Sequence, residues 1–207
     1  MTHLDNQKQI LLLAQETILH ECQVVQALIP QLGESVAEAA NLMFHCRGHV
    51  LTAGAGTSNP VAARFAHLLS CCGTPALFIH PGDSQHGLSG AVTKRDVLFA
   101  ISKGGETTEV NILARVAKSR GAKLIGLTEK PESTLAKLSD VVLCFQAPAD
   151  SDPYGMIATG SSLFNAALTD ALCIIMLNLR GYSKEKFAET HPGGAVGNQI
   201  ATEKAGG

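Results

Sequence analysis

Five short, almost continuously apolar runs recur along this chain, and segments with helical character separate them. The runs occupy residues 49–53, 75–80, 96–102, 123–128 and 140–145. This pattern is typical of parallel strands that are buried on both faces, because helices cover both sides of such a sheet. The alternation predicts an α/β fold, a three-layer α/β/α sandwich around a five-stranded parallel sheet.

The helical segments fit the same plan. Apolar spacing predicts N-terminal helices over residues 4–28 and 34–45, then helices over 60–72, 107–120, 133–138 and 161–180. No linker divides the 207 residues, so we expect a single domain, residues 1–207, with N-terminal helices in 1–46 and an α/β core and C-terminal segment in 47–200.

The first helix carries apolar side chains over more than one face, among them Leu11, Leu12, Leu13 and Ile18. One sandwich cannot bury both sides of a peripheral helix, so a second subunit is the expected cover. We therefore predict a homodimer or homotetramer, with active sites near the subunit interface.

Two of the predicted strands end in loops of the same construction. GAGTSNP (54–60) follows the first strand and SKGGETT (102–108) follows the third, and each leads into a helix. Free backbone N–H groups, hydroxyl donors and the positive end of a helix together favour an anion. Gly56, Thr57, Ser58, Ser102 and Thr107 are therefore predicted to bind a phosphate. Gly104 and Glu106 of the second loop are predicted to belong to the same phosphosugar-binding site.

The first loop does not fit a nucleotide cofactor. It lacks the third glycine of a dinucleotide fingerprint, no acidic residue ends the second strand, and neither loop is followed by a Walker lysine. A small phosphorylated ligand is the better prediction, and we expect no cofactor.

Composition excludes several other partners. The net charge is −2, the basic residues do not cluster, aromatic residues make up 4% and Trp is absent, so we expect no nucleic acid partner. We expect no membrane partner either, since no apolar stretch looks long enough to span a bilayer and the N-terminus lacks the features of a secretory signal. The six cysteines have neither CxxC nor zinc spacing, which predicts a reduced cytoplasmic protein without a metal site.

The quoted motifs together resemble a known family. The two loops and the order of elements are similar to those of the sugar isomerase (SIS) domain, a flavodoxin-like fold. Within it, GTPA (73–76), HP (80–81), HG (86–87), RDV (95–97) and HPGGAVG (191–197) resemble the arabinose-5-phosphate isomerase group. The resemblance covers nearly the whole chain and implies a phosphosugar substrate, interconversion of a ketose phosphate and an aldose phosphate, and an oligomer in which His86 or His191 completes a neighbour's site.

Three departures from that group bear on function. Thr57 stands where its members usually carry Lys, and Gly104 replaces a loop serine that supplies a phosphate hydroxyl. The chain also stops at Gly207, where many members continue into paired CBS domains, so we expect no CBS module. The first two departures keep a non-catalytic phosphosugar sensor open as an alternative. A lyase or hydrolase that acts on an ether- or amine-substituted phosphosugar is a second alternative.

Aldose–ketose isomerisation needs a base that moves a proton between C1 and C2 and polar groups that stabilise an enediolate. Glu109 is the leading candidate base, since it follows the second loop in the first turn of a helix; it could equally serve only to complement the helix dipole. Glu106 competes for that role or braces the loop. His191, in a segment without periodicity, and His86, in a turn, are the other catalytic candidates.

The long segment after the fifth strand is expected to join the site. Asp150 is predicted to contact the phosphosugar or to lie in a solvated turn, with Asp152 as its neighbour. Ser161 is predicted to cap the last helix or to contact the sugar.

Overall fold

The computed structural model describes residues 7–193 and residue 197. Along the chain the elements are α1 (Gln7–Gln26), α2 (Glu34–Phe44), β1 (Val50–Gly54), α3 (Ser58–Cys71), β2 (Ala76–Phe78), α4 (Pro81–Ser84), β3 (Val97–Ile101), α5 (Thr108–Ser119), β4 (Lys123–Thr128), α6 (Thr134–Leu138), β5 (Val141–Cys144), α7 (Gly160–Leu179) and α8 (Lys184–Thr190). Short 3-10 turns occupy Ile29–Gln31 and Leu88–Ala91.

The five strands form one parallel sheet in the order β2-β1-β3-β4-β5. This confirms the predicted α/β sandwich and its flavodoxin-like topology. The strand order reverses between β1 and β3, which pair directly from Val50 with Val97 to Gly54 with Ile101. Ligands of open α/β sheets bind at such a switch point, outside the carboxyl ends of the strands. Both predicted phosphate loops begin at this point.

Alternation along the strands creates two apolar layers. In β3, Phe99 packs on one face of the sheet with Phe65 of α3, their ring centroids 4.8 Å apart, and Leu98 packs on the other face with α5. Helices α1, α2, α3 and α7 cover the first face, and α5 and α6 cover the second. This double cover explains why the strands are apolar almost throughout.

Helix α7 requires a correction. We expected no apolar stretch long enough to span a bilayer, but Gly160–Leu179 has a mean hydropathy of 1.6. Among the described residues it is the one helix that is long and apolar enough to cross a membrane, judged by length and composition. It packs against α1, α2 and α3, and Asp170 accepts from Arg64 Nη2 at 2.9 Å. These are the contacts of a core helix of the sandwich.

Two further corrections concern short helices. The segment before His191 is helical, because Ser183 caps α8 by accepting from Lys186 N, so the expectation of an irregular segment there is wrong. Pro81 opens the unpredicted α4. In α1, which is described from Gln7, only Val24 is buried. Its predicted apolar stripe faces outward in the single chain.

Candidate phosphosugar site

The loop after β1 is shaped by two glycines. A Cβ on Gly54 would lie 2.6 Å from the Ser58 carbonyl oxygen, so only glycine allows the strand to pass so closely into α3. Gly56 has φ +57, a left-handed conformation that glycine adopts without strain. Thr57 is the N-cap residue of α3 and Ser58 begins the helix, which places both hydroxyls at a helix N-terminus.

The loop after β3 is held by its own hydroxyls. Ser102 is buried, its Oγ lies 2.9 Å from Thr107 Oγ1, and it accepts from Gly105 N at 3.1 Å. Thr107 is the N-cap residue of α5. Asn111 Nδ2 donates to Gly105 O at 3.1 Å from within α5. Ser102 therefore fixes the shape of the loop, while Gly104 is exposed with open space around it.

Glu106 takes the bracing role that was one of its two predicted alternatives. Its carboxylate accepts from Thr134 N and Thr134 Oγ1, each at 2.7 Å. These two bonds hold the pKa of Glu106 below its usual range. The side chain thus ties the loop to the N-terminus of α6.

Asp150 lies buried in the segment after β5 and contacts the start of α7. Its Oδ1 accepts from Ser161 N at 2.7 Å, and its Oδ2 accepts from Ser161 Oγ at 3.1 Å and from Lys103 Nζ at 3.3 Å. The solvated-turn alternative is therefore wrong for Asp150. It applies to Asp152, whose exposed carboxylate accepts from backbone N–H groups of its own turn.

A cleft brings several of these residues together. It is lined by Thr57, Ser58, Val61, Lys103, Ala158, Ser161, Ser162 and Asn165. Three predicted residues, Thr57, Ser58 and Ser161, thus meet at the N-termini of α3 and α7. Ser162, which lies beside Ser161 at the start of α7, lines the cleft as well, whereas sequence reasoning missed Asn165 and also Lys103, although the motif in residues 102–107 contained it.

The SIS domain family matches residues 43–174, the part of the chain that contains the sheet, both loops and most of α7. The chain belongs to the SIS domain family. It is 37% identical over 187 residues to arabinose 5-phosphate isomerase KdsD of Pseudomonas aeruginosa, covering 90% of this chain and 57% of that protein. For KdsD of Escherichia coli K12 the identity is 36% over 185 residues, covering 89% of this chain and 56% of that protein. The chain spans about half the length of these curated relatives.

Two solved structures of similar size share the fold. A candidate sugar-phosphate isomerase from Listeria monocytogenes is 34% identical with a TM-score of 0.88, covering 91% of this chain and 99% of that one. An Escherichia coli CFT073 protein solved in complex with arabinose 5-phosphate is 27% identical with a TM-score of 0.87, covering 90% of this chain and 100% of that one.

The three candidate catalytic residues lie outside the lining of the cleft in this SIS chain. Glu109 is exposed in the first turn of α5, and His86 is exposed just after α4, which packs on α5. His191 ends α8, stacked on Phe187. Part of its motif, residues 194–196, lies outside the described residues. Glu109 and His86 share the carboxyl edge of the sheet, whereas His191 stands apart.

The cysteines and acidic groups show no metal cluster within residues 7–193. No group of three or more His, Cys, Asp or Glu side chains there is placed to hold a metal ion. All six cysteines are described and free, and burial raises the pKa of the Cys46, Cys72, Cys144 and Cys173 thiols. A raised thiol pKa makes these side chains poor nucleophiles and metal ligands.

Adjacent glycines provide a matched test of the second loop. Gly105 has φ +68 and its Cβ would lie 2.0 Å from Ser133 Oγ, whereas a Cβ on Gly104 would meet nothing within 4 Å. We expect Gly105→Ala to lower the stability of the fold by about 1–3 kcal/mol, a strained backbone being added to a clash. Gly104→Ala should change it by less than about 0.5 kcal/mol. Urea unfolding of both variants measures the difference, and equal stabilities would contradict this account of the loop.

Proposed function

We propose that this chain is a phosphosugar isomerase that interconverts an aldose phosphate and a ketose phosphate, with arabinose 5-phosphate as the first substrate to test. The observation that carries the proposal is the junction of two hydroxyl-rich βα loops beside a polar cleft, in a chain 36–37% identical to two arabinose 5-phosphate isomerases. Helix N-termini favour an anion, and the cleft next to them brings Lys103, Ser161 and Ser162 close to the same place.

The proposed mechanism uses side chains alone. The phosphate is held between the loop at Thr57 and Ser58 and the loop that Ser102 and Thr107 shape. In the open-chain aldose phosphate, Glu109 removes the proton from C2, an enediolate forms, and a proton returned to C1 gives the ketose. His86 or His191 exchanges protons with the sugar oxygens. No metal or organic cofactor enters these steps.

Exchange with solvent tests the proposal. The protein is incubated in D2O with pentose and hexose phosphates, and proton NMR follows the signals at C1 and C2. Deuterium appearing at either carbon supports an isomerase. Saturable binding without exchange would instead favour the sensor that the departures at Thr57 and Gly104 keep open. Loss of a substituent without aldose–ketose exchange would favour the lyase or hydrolase.

We also propose that the protein is a homo-oligomer. Large apolar side chains on α1 stay half or more exposed in the single chain, for example Leu11 at 56% and Ile18 at 64%. An apolar groove between α2 and α7, lined in part by Val36, Ile175 and Leu179, lies open beside further exposed residues such as Ile174. So extended an apolar surface favours burial against a second copy, as a dimer or a tetramer.

Charge on the exposed face of α1 should break the assembly. Leu11 and Ile18 lie two turns apart on one side of the helix, so Leu11→Glu with Ile18→Glu places two charges in the proposed interface. Light scattering at low micromolar concentration should give at least twice 21.7 kDa for the wild type and 21.7 kDa for the variant. Lys137→Glu, on the exposed side of α6 across the sheet from α1, changes the net charge by the same two units and should keep the wild-type mass. A monomeric wild type would contradict the proposal.

The extent and location of the protein are further proposals. We propose that residues 1–207 act as one SIS domain, with N-terminal helices in 1–46 and the core and C-terminal segment in 47–200. The six free thiols support a reduced, cytoplasmic setting.

A further inference from the structure

Lys103 occupies an unusual position beside the cleft, between two carboxylates. Its Nζ lies 3.3 Å from Asp150 Oδ2 and 3.9 Å from Glu129 Oε1. Its carbonyl oxygen accepts from Glu129 N at 2.9 Å and from Thr128 Oγ1 at 3.1 Å. The backbone of Lys103 is thereby fixed to the end of β4, so the side chain leaves from a rigid point.

The two partners of the pair differ in exposure. The Asp150 side chain is 2% exposed, whereas the Lys103 side chain is 44% exposed. An ammonium group has three donors, and Asp150 uses one of them. Lys103 also lines the cleft, where it is the one basic residue among the described lining residues, so donors remain for a ligand beside it.

The charges around Lys103 favour a neutral ligand group over a phosphate. Asp150 offsets the positive charge of the ammonium, and Glu129 stands within 4 Å of the same atom. Burial raises the pKa of Glu129, although Lys103 opposes the shift. A dianion placed here would meet at least one carboxylate at short range, whereas the N-terminus of α3 offers it backbone donors with no acidic residue in the first turn. A sugar oxygen, by contrast, accepts from an ammonium at little electrostatic cost.

We propose that Lys103 is a specificity-determining residue that binds the sugar rather than the phosphate. Its ammonium donates a hydrogen bond to a hydroxyl or carbonyl oxygen of the open-chain sugar, and Asp150 acts through Lys103 as a positioning residue that holds the donor in place. This inference rests on the proposed function, because it names the residue that binds the sugar end of the same phosphosugar.

Two ligands distinguish a residue that binds the sugar from one that binds the phosphate. Calorimetry of the full chain with arabinose 5-phosphate and with inorganic phosphate gives a dissociation constant for each. Lys103→Met should weaken arabinose 5-phosphate binding about ten- to hundred-fold, as expected for a lost charge-assisted hydrogen bond. The same variant should bind inorganic phosphate within about two-fold of the wild type. Lys94→Met, at the amino edge of the sheet beside Arg95 and Asp96, controls for the loss of one charge and should change neither constant.

The remaining outcomes are decisive. Equal weakening of both ligands would make Lys103 a phosphate ligand and overturn the proposal, as would unchanged affinity for both. If Lys103→Met does not fold, Lys103→Arg keeps the charge beside Asp150 while moving the donors. Lys103→Arg should then weaken the binding of arabinose 5-phosphate alone, and unchanged affinity for this ligand would again overturn the proposal.

Binding of arabinose 5-phosphate without deuterium exchange in the wild type would contradict the proposed isomerase function while leaving the assignment of Lys103 intact. A wild type that binds inorganic phosphate but not arabinose 5-phosphate would overturn both.

Discussion

Replacing Glu109 by Gln is expected to lower kcat for aldose–ketose exchange by about 10²–10⁴, the range typical for loss of a general base. The amide keeps the size of the side chain but cannot take the proton from C2. Glu109 is exposed and forms no hydrogen bond or ion pair with another described residue, so its carboxylate is available to a substrate. Because the phosphate is held elsewhere, KM should change by no more than a few-fold. Steady-state kinetics on arabinose 5-phosphate give both constants.

Glu34 supplies the control that separates chemistry from helix electrostatics. It occupies the first turn of α2 as Glu109 occupies that of α5, and each complements a helix dipole. If Glu109 only complements its helix, Glu109→Gln and Glu34→Gln should cost similar, small amounts of stability and leave turnover unchanged. Full turnover in Glu109→Gln would assign Glu109 to that role and return Glu106 to consideration as the base.

The sheet could be predicted from the sequence because continuously apolar strands are typical of a sheet that is buried on both faces. The runs that contain β1, β3 and β4 are apolar at almost every position, and the observed strands fall within one residue of their predicted bounds. Their loops were equally visible, since Gly54 and Gly105 are required by contacts that a strand-to-helix turn imposes. Local chemistry therefore determines the switch point and, with it, the place proposed for the phosphate.

What the sequence could not show depends on contacts between distant segments. Asp150 and Ser161 are eleven residues apart, and Lys103 reaches Asp150 from 47 residues away, so neither pairing has a periodic signature. The orientation of the Glu106 side chain was open for the same reason, because its partner Thr134 lies 28 residues away in α6. In α1 the predicted apolar pattern is present and its large side chains are exposed in the single chain, as a helix covered by a second subunit would require. Hydrophobic spacing alone identifies such a face without stating what covers it.

His191→Asn is expected to lower kcat by about 10²–10⁴ with a modest effect on substrate affinity. Its ring stacks on Phe187 with centroids 3.7 Å apart, and Nδ1 lies 2.9 Å from the Phe187 carbonyl oxygen. A carbonyl only accepts, so Nδ1 is the donor in this contact, and in the neutral ring Nε2 then presents a lone pair. That arrangement suits proton exchange with a sugar oxygen. Steady-state kinetics test it, and His45→Asn, on another histidine bonded to its own helix at Asn41 O, is the matched control.

Because His191 stands apart from the cleft of its own chain, we expect it to serve a neighbour's site. Glu109→Gln and His191→Asn proteins, each inactive, are mixed in equal amounts and allowed to exchange subunits. In a mixed dimer one site inherits both substitutions and the other inherits neither, so random exchange should restore about a quarter of wild-type activity. A variant that carries both substitutions, mixed with itself, should stay inactive. No recovery after exchange has been verified by mass spectrometry would place Glu109 and His191 in the site of one chain.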